Sequence, residues 1–190
     1  MTRTERTWFK NATIYQVYPK SYQDSDGDGI GDIPGLISRL DYLSYLGVDG
    51  IWLCPVYVSP MVDNGYDIAD YREINPEFGT MDDFEALLKE MHRRNLKLIM
   101  DMVLNHTSDE HEWFKESRSS KTSDKRDWYH WTGSDRNLLP NDWLSFFSGP
   151  AWQWDERTGE YYLHLFHRKQ PDLNWENPEL RDEMKSMLRW

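Results

Sequence analysis

Residues 24–32, DSDGDGIGD, hold four aspartates with glycines between them. Aspartate and glycine are both depleted from strands and favoured in turns, so the stretch is predicted to be a loop. Carboxylates this close repel one another unless a cation lies between them. Oxygen ligands in this number favour Ca²⁺ over transition metals, and Mg²⁺ is also compatible. The stretch therefore predicts a cation site.

The spacing can be compared with an EF-hand loop, whose ligands fall at positions 1, 3, 5, 7, 9 and 12. Five residues match the first five of these positions, the fourth through its main-chain carbonyl: Asp24, Asp26, Asp28, Ile30 and Asp32. Position 12 is Gly35 instead of glutamate, and the residues before the loop predict a strand instead of a helix. We expect an oxygen cage without EF-hand helices; the alternative is a solvated acidic turn.

A second group of polar residues ends an apolar run in DMVLNH, residues 101–106. Burying an unpaired carboxylate costs several kcal/mol, so Asp101 is an improbable core residue and a candidate site residue. His106 has two interpretations, a functional side chain or a histidine that caps a helix or loop. A third group, DNGYD, contains Asp63 and Tyr66, and its Asp-Asn-Gly order is also typical of a tight turn.

The elements that would position these groups alternate along the chain. Segments 12–19, 48–57 and 96–106 are rich in apolar and β-branched residues and predict strands, the second of them buried on both faces. A helix is predicted from Pro34 to Gly47, and another after the N-cap Thr80. The order β-α-β-α-β indicates an α/β fold with a parallel sheet, in which sites form at the carboxyl ends of the strands.

The pattern changes after residue 106. Residues 107–177 are polar and rich in tryptophan, and this length is far above that of an ordinary loop. We predict three parts: the first three β/α units in 1–106, an inserted subdomain in 107–177 with a strand at 160–166, and the start of another helix in 178–190.

Composition narrows the classes of partner and of location. The 190 residues carry a net charge of −11 without a basic cluster, which disfavours nucleic acid and acidic membranes as partners. The single cysteine, Cys54, excludes an internal disulfide framework. The first twelve residues show no apolar signal segment, and no stretch approaches the roughly 20 apolar residues of a membrane span, so we expect a cytoplasmic protein. No zinc-hydrolase, P-loop or nucleophile-elbow motif is present.

Four stretches in order, IYQVYPKSYQDSDGDGIGD, IWLCPVYVSPMVDNGYDIADY, DMVLNH and QPDLNWENP, resemble the α-amylase superfamily of glycoside hydrolases. Within it, the chain is similar to the group of oligo-1,6-glucosidases, dextran glucosidases and trehalose-6-phosphate hydrolases. The resemblance implies the N-terminal part of a (β/α)8 TIM barrel with an α+β subdomain inserted after the third strand. Because such a barrel needs about 250 residues, the remainder of the barrel is expected elsewhere.

The resemblance also implies roles for individual residues. It implies a structural Ca²⁺ on the five ligands named above, Asp101 and Asn105 as supporting residues, and a substrate pocket lined by Asp63, Tyr66, His106, Phe147, Phe166 and Gln170. Aromatic rings suit sugars because one face of a pyranose is apolar, although most rings in 107–177 are expected to fill the subdomain core. The nucleophile Asp and the acid/base Glu are expected after Trp190.

The function implied is a retaining exo-α-glucosidase for an oligosaccharide or disaccharide, with α-1,6-linked substrates first. Such enzymes react by double displacement between two carboxyl groups about 5–5.5 Å apart. The 190-residue chain alone is expected to be inactive. Two alternatives stay open, a trehalose-6-phosphate hydrolase and a non-catalytic carbohydrate-binding fragment.

Overall fold

The computed structural model describes residues 5–190, so the first four residues of the N-terminal segment discussed above lie outside it. The strands are β1 Ile14–Val17, β2 Gly50–Leu53, β3 Tyr57–Val58, β4 Asp70–Ile74, β5 Lys97–Met100, β6 Trp131–Thr132, β7 Trp152–Asp155 and β8 Glu160–Leu163. The α-helices are α1 Pro19–Tyr22, α2 Ile33–Ser38, α3 Leu40–Tyr45, α4 Met81–Arg93, α5 Glu112–Ser117 and α6 Pro178–Arg189. Glu5–Lys10 and Arg126–Trp128 form 3₁₀ helices.

The chain divides into two compact units. The first contains the residues up to Val56 together with Glu73–Met102, and the second contains Tyr57–Arg72 and Val103–Trp190. The boundaries at 106 and 177 stay a prediction, because compactness alone does not mark where an insertion begins.

The first unit is built on a parallel sheet in the order β1-β2-β5, which confirms the predicted α/β alternation. All three strands are shorter than predicted, four residues each. The prediction that the second strand is buried on both faces was wrong. Trp52 is 37% exposed and pairs in register with Ile99, which is 36% exposed, while Ile51 and Leu53 on the opposite face are fully buried. The sheet therefore has one buried and one partly open face.

The predicted helix from Pro34 to Gly47 is two helices, α2 and α3, separated at Arg39. Leu36, Leu40 and Leu43 are buried as the spacing predicts. Leu46, the C-cap of α3, is 45% exposed although its backbone is still helical, with φ −65° and ψ −15°.

Helix α4 begins where the sequence predicts. Thr80 Oγ1 accepts from the Asp83 amide at 3.2 Å, and Asp83 Oδ2 accepts from the Thr80 amide at 2.8 Å, which is a capping box. Leu87 and Met91 are buried on one face of the helix. Before α4, β3 and β4 form a two-stranded sheet that the sequence pattern did not predict, and β3 begins at Tyr57, the last residue of the second predicted strand.

The second unit contains an antiparallel sheet in the order β6-β8-β7. The predicted strand at 160–166 is present as the shorter β8. The core of the second unit is aromatic: the rings of Phe114 and Trp131 stack at 5.6 Å, and Tyr129 and Tyr162 contact Phe114 edge-on. Helix α6 starts at Pro178, capped by the Asn177 side chain. Across the described residues, no helix has the length and apolar character needed to cross a membrane.

Candidate functional site

The DNGYD turn is stabilised by the buried carboxylate of its last residue, Asp67. Asn64 and Gly65 have φ values of 53° and 95°, the left-handed conformation that Asn and Gly tolerate best. Asp67 is fully buried, and its two oxygens accept from the amides of Val62 at 3.0 Å and Asp63 at 2.9 Å. Asp67 therefore supports the turn from which Asp63 and Tyr66 project.

The segment that carries His106 is fixed by Tyr71. The buried Tyr71 hydroxyl donates to the carbonyl of Val103 at 2.7 Å and lies 3.2 Å from the carbonyl of His106. His106 also forms an antiparallel bridge with Asp172, and the Leu173 amide donates to the Asn105 carbonyl at 2.9 Å. These bonds bring DMVLNH and QPDLN, two motifs far apart in the sequence, side by side.

Gln170 joins the two motifs to the DNGYD turn. Its side chain is fully buried, and its Oε1 accepts from the His167 amide at 2.8 Å. Its Nε2 donates to Asp63 Oδ2 at 2.8 Å and lies 3.1 Å from His106 Nε2. Asp63, His106 and Gln170 therefore meet at one point, as the resemblance implies.

Two of the three polar contacts of His106 favour one tautomer. The Asn105 amide nitrogen, a donor, lies 3.3 Å from His106 Nδ1, and the Tyr66 carbonyl, an acceptor, lies 3.1 Å from His106 Nε2. Nδ1 therefore accepts and Nε2 carries the proton, so the approach of Gln170 Nε2 is a contact between two donors. Burial lowers the pKa of His106, which favours the neutral ring.

Asp172 extends this chain of contacts and was not selected as a site residue from the sequence. Its carboxylate accepts from the Leu165 amide at 3.0 Å and from the Asn105 side chain. Burial raises the pKa of Asp172 to about 6. The sequence signal that could have identified Asp172 was its place in the QPDLN motif. The motif alone does not show which of its five side chains is buried.

Aromatic rings lie beside the polar groups. The Phe166 ring is 5.1 Å from the His106 ring and stacks with Phe146 at 5.4 Å. Phe147, which is 49% exposed, contacts Phe166 edge-on at 6.0 Å. Phe147 and Phe166 line one open depression of about 380 Å³ together with Trp152.

Asp101 belongs to the first unit, where Trp52 Nε1 donates to its Oδ2 at 3.1 Å. The amide of Asp101 donates to the Leu53 carbonyl at 3.2 Å, so the residue follows directly from the parallel sheet. Its supporting role stays a prediction.

The acidic loop also lies in the first unit. Asp24, Asp26 and Asp28 each present a carboxylate oxygen within 4.8 Å of the others. Asp32 is not part of this cluster. Its Oδ1 accepts from the Gly35 amide at 2.6 Å and caps α2, and its Oδ2 accepts from the Ser25 amide and hydroxyl, both at 2.9 Å.

Of the residues predicted to line a pocket, the second unit brings together Asp63, Tyr66, His106, Phe166 and Gln170, with Phe147 one ring further out. The assembly combines carboxylate and carbonyl acceptors, a neutral imidazole and a flat apolar wall. Such a set suits a ligand with many hydroxyl groups and an apolar face, because each hydroxyl both donates and accepts.

Residues 16–190 match the family described as the α-amylase catalytic domain. The chain belongs to this family. It is 61% identical over 186 residues to an oligo-1,6-glucosidase of Parageobacillus thermoglucosidasius, a match that covers 98% of this chain and 33% of that protein. It is 63% identical over 183 residues to the oligo-1,6-glucosidase of Halalkalibacterium halodurans, covering 96% of this chain and 33% of the relative.

Solved structures of family members agree with the fold. A crystal structure of a MutB mutant in complex with the substrate sucrose superimposes with a TM-score of 0.94 at 55% identity, covering 96% of this chain and 33% of that chain. The isomaltulose synthase SmuA of Protaminobacter rubrum gives the same values. The chain thus spans about one third of the length of the relatives it matches, and it is part of a TIM-barrel family with mixed α/β content.

Proposed function

We propose that the whole protein is a retaining exo-α-glucosidase that hydrolyses short α-glucosides and prefers α-1,6-linked substrates. The observation that carries this proposal is the meeting of Asp63, His106 and Gln170 beside the Phe166 ring. Oligo-1,6-glucosidases at 61% and 63% identity support the choice of reaction and linkage.

In this proposal the described residues bind and orient the sugar. The Asp63 carboxylate accepts hydrogen bonds from sugar hydroxyls while Gln170 holds it in place. His106 is a neutral ring, since burial lowers its pKa, and its Nε2 proton passes from the Tyr66 carbonyl to a sugar hydroxyl when the sugar binds. Tyr66 and Phe166 offer ring faces to the pyranose, and Phe147 lines the outer part of the pocket.

The bond-breaking groups lie elsewhere in this proposal. The resemblance implies a nucleophile Asp and an acid/base Glu after Trp190, which react by double displacement. Asp101 would hold an arginine beside that nucleophile, and Asn105 would orient His106. The 190-residue chain alone is then expected to release no glucose.

The finer architecture is part of the same proposal. We place residues 1–106 in the first three β/α units of the barrel, 107–177 in an inserted subdomain and 178–190 in the next barrel helix. The antiparallel sheet β6-β8-β7 supports a subdomain with its own secondary structure. A cytoplasmic location stays a prediction.

The activity is tested by comparing the 190-residue chain with a protein of the relatives' full length. Glucose release is measured from isomaltose, maltose, trehalose 6-phosphate and p-nitrophenyl-α-glucoside, with sucrose added because of the structural relatives. Glucose release from isomaltose by the long protein, and none by the 190-residue chain, supports the proposal. Release by the 190-residue chain, or none by either protein, contradicts it.

The two alternatives are outcomes of the same assay. Preference for trehalose 6-phosphate over isomaltose identifies the hydrolase of that substrate. Isomaltose binding by the long protein without hydrolysis identifies a carbohydrate-binding protein. A Gln170→Leu variant, which loses the hydrogen bond to Asp63, is expected to lower activity on every substrate.

We further propose a structural Ca²⁺, with Mg²⁺ as a possible replacement, in the acidic loop. Three converging carboxylates support this, on Asp24, Asp26 and Asp28, and the Ile30 carbonyl follows in the same loop. Asp24 also accepts three backbone amides, from Asp26, Gly27 and Gly29, which already offset part of its charge. Asp32 already caps α2, so it would have to bind the ion and cap the helix at the same time. The ion would rigidify the loop without taking part in the chemistry.

The metal proposal is tested by thermal unfolding in EDTA, Ca²⁺ and Mg²⁺. Saturable stabilisation by Ca²⁺ that an Asp26→Asn variant loses is the expected result. The control is Asp124→Asn, which removes an exposed carboxylate outside the loop. Equal melting temperatures in EDTA and Ca²⁺ would rule out the site.

A further inference from the structure

A second cavity in the second unit, about 230 Å³ in volume, has no assigned role. Its walls include Asp109, Arg118, Arg168 and Lys169, and none of the polar groups that meet at Gln170. Arg168 also lines the depression beside Phe166, so the two spaces are neighbours on one wall.

The walls of this cavity are tied together by main-chain bonds. The Asp109 amide donates to the Lys169 carbonyl at 2.8 Å, and the Tyr162 hydroxyl donates to the Arg168 carbonyl at 2.8 Å. The Gln170 amide donates to the His167 carbonyl at 2.7 Å, which closes the turn that carries both basic residues. The cavity is therefore built from ordered backbone and not from a flexible surface loop.

The charge of the lining is opposite to that of the chain. Three lining side chains are cations, Arg118, Arg168 and Lys169, and one is a carboxylate, Asp109, whereas the chain carries −11. Arg118 is paired with the buried Asp155 at 2.5 Å. Among residues 5–190, neither Arg168 nor Lys169 has an ion-pair partner. Asp109 is a counter-charge to Lys169, so the lining side chains other than the paired Arg118 leave a net charge of +1 to attract an anion.

Two buried polar atoms of lining residues have no hydrogen-bond partner within the described part of the chain: Asp109 Oδ1 and Arg118 Nε. Buried polar groups are nearly always hydrogen-bonded, so each of these atoms needs a further partner, which ordered water or a ligand supplies. The arginine Nε–H needs an acceptor. The carboxylate oxygen needs a donor. One small ligand that offers both would satisfy the two atoms together.

We propose that this cavity binds a phosphate group, either inorganic phosphate or a sugar phosphate monoester. The phosphate oxygens accept from Arg118 Nε, Lys169 and Arg168, and a protonated P–OH donates to Asp109 Oδ1. Sulfate at neutral pH has no such proton and leaves Asp109 unpaired. A neutral sugar leaves the remaining positive charge of the cavity unneutralised. The proposal does not depend on the glucosidase activity, since the cavity contains none of the proposed sugar-binding groups.

The test is calorimetric titration of the 190-residue chain, at a concentration where light scattering gives the 22.8 kDa monomer, at constant ionic strength with inorganic phosphate, glucose 6-phosphate, sulfate and glucose. Saturable phosphate binding is expected, with sulfate weaker and glucose absent, because charge-assisted hydrogen bonds contribute most of the affinity. Equal affinity for phosphate and glucose 6-phosphate identifies the free ion as the ligand. Tighter binding of glucose 6-phosphate identifies the monoester.

The variants are Lys169→Gln and Arg168→Gln, with Arg157→Gln as the matched control because Arg157 is exposed and outside the cavity. Each cavity variant is expected to weaken phosphate binding about tenfold, and the control to leave it unchanged. Within residues 7–190 neither cavity side chain forms a salt bridge, so circular dichroism should show native structure in both variants. No saturable phosphate binding, equal binding of glucose, or equal loss in the control would overturn the proposal.

Discussion

His106 is kept neutral and correctly oriented by groups that the sugar would not touch. Asp172 accepts from Asn105, and Asn105 donates to His106 Nδ1, which leaves the Nε2 proton for the Tyr66 carbonyl. A polar chain of this kind works as a unit, because each member fixes the hydrogen-bonding direction of the next.

Asn105→Asp is expected to disrupt this unit in the proposed full-length glucosidase. A carboxylate in place of the amide cannot donate to His106 Nδ1, repels Asp172 and stabilises a cationic ring. A misplaced positioning group can cost about 100-fold in rate, so kcat/KM should fall by about that factor. The pH profile should change too, since His106 would titrate at higher pH. Asn95→Asp adds the same charge at an exposed position, and a comparable loss there would refute the assignment.

His111 predicts an acid limit to stability. Its Nδ1 accepts from the Trp113 amide at 3.1 Å and caps α5, and burial lowers its pKa to about 4. The unfolded chain, with a pKa near 6.5, binds more protons between these values, so stability falls as the pH falls from 6.5 to 4. At about 1.4 kcal/mol per pH unit the loss is on the order of 3 kcal/mol. His111→Asn keeps a capping acceptor and should flatten this slope in denaturant unfolding, whereas the exposed His92→Asn should not.

Asp172 makes the stability depend on pH in the opposite direction, over an overlapping range of pH. Its pKa is about 6 in the fold and near 3.8 when unfolded, so the folded state binds more protons between these values. Stability therefore falls as the pH rises from 4 to 6. Asp172→Asn cannot ionise, so the stability of the wild type relative to this variant should decline across that range. A constant difference between the two, measured by the same unfolding titration, would contradict the assignment.

At the scale of elements, the helix that packs on the parallel sheet depends on its first turn. The capping box of α4 satisfies amide groups that the helix itself leaves unpaired. The carboxylates of Asp82 and Asp83 lie at the positive end of the helix dipole, which stabilises the helix further. Thr80→Ala should lower the free energy of unfolding by about 1 kcal/mol, and Thr80→Ser should restore most of it. Chemical unfolding measures both variants; equal losses would show that the hydroxyl does not act as the cap.

At the scale of the whole molecule, the parallel sheet has two edge strands, β1 and β5, in the described part of the chain. Unpaired strand edges recruit further strands, and Trp52 and Ile99 add exposed apolar surface on one face. The 190-residue chain alone should therefore self-associate, with a light-scattering mass that rises with concentration. The full-length protein should be less prone to this. A mass that stays at 22.8 kDa at every concentration would contradict the prediction.

Local sequence patterns predict the three parallel strands and the helices between them, the acidic loop, the Thr80 cap and the motifs that mark the family. These features depend on neighbouring residues: apolar periodicity, capping side chains and turn-forming Asp and Gly act within a few positions. The same local logic failed for Leu46 and Trp52, whose exposure depends on which other segments pack against them.

Tertiary structure alone decided how the site is assembled. Gln170 and Asp63 are 107 positions apart, and no local pattern predicts the hydrogen bond between them. The same holds for the roles of Asp67 and Asp172, since a carboxylate that supports a turn and one that binds a ligand have the same chemistry. The physical reason is that burial and hydrogen-bond partners, which set each side chain's charge and direction, arise only when distant segments pack together.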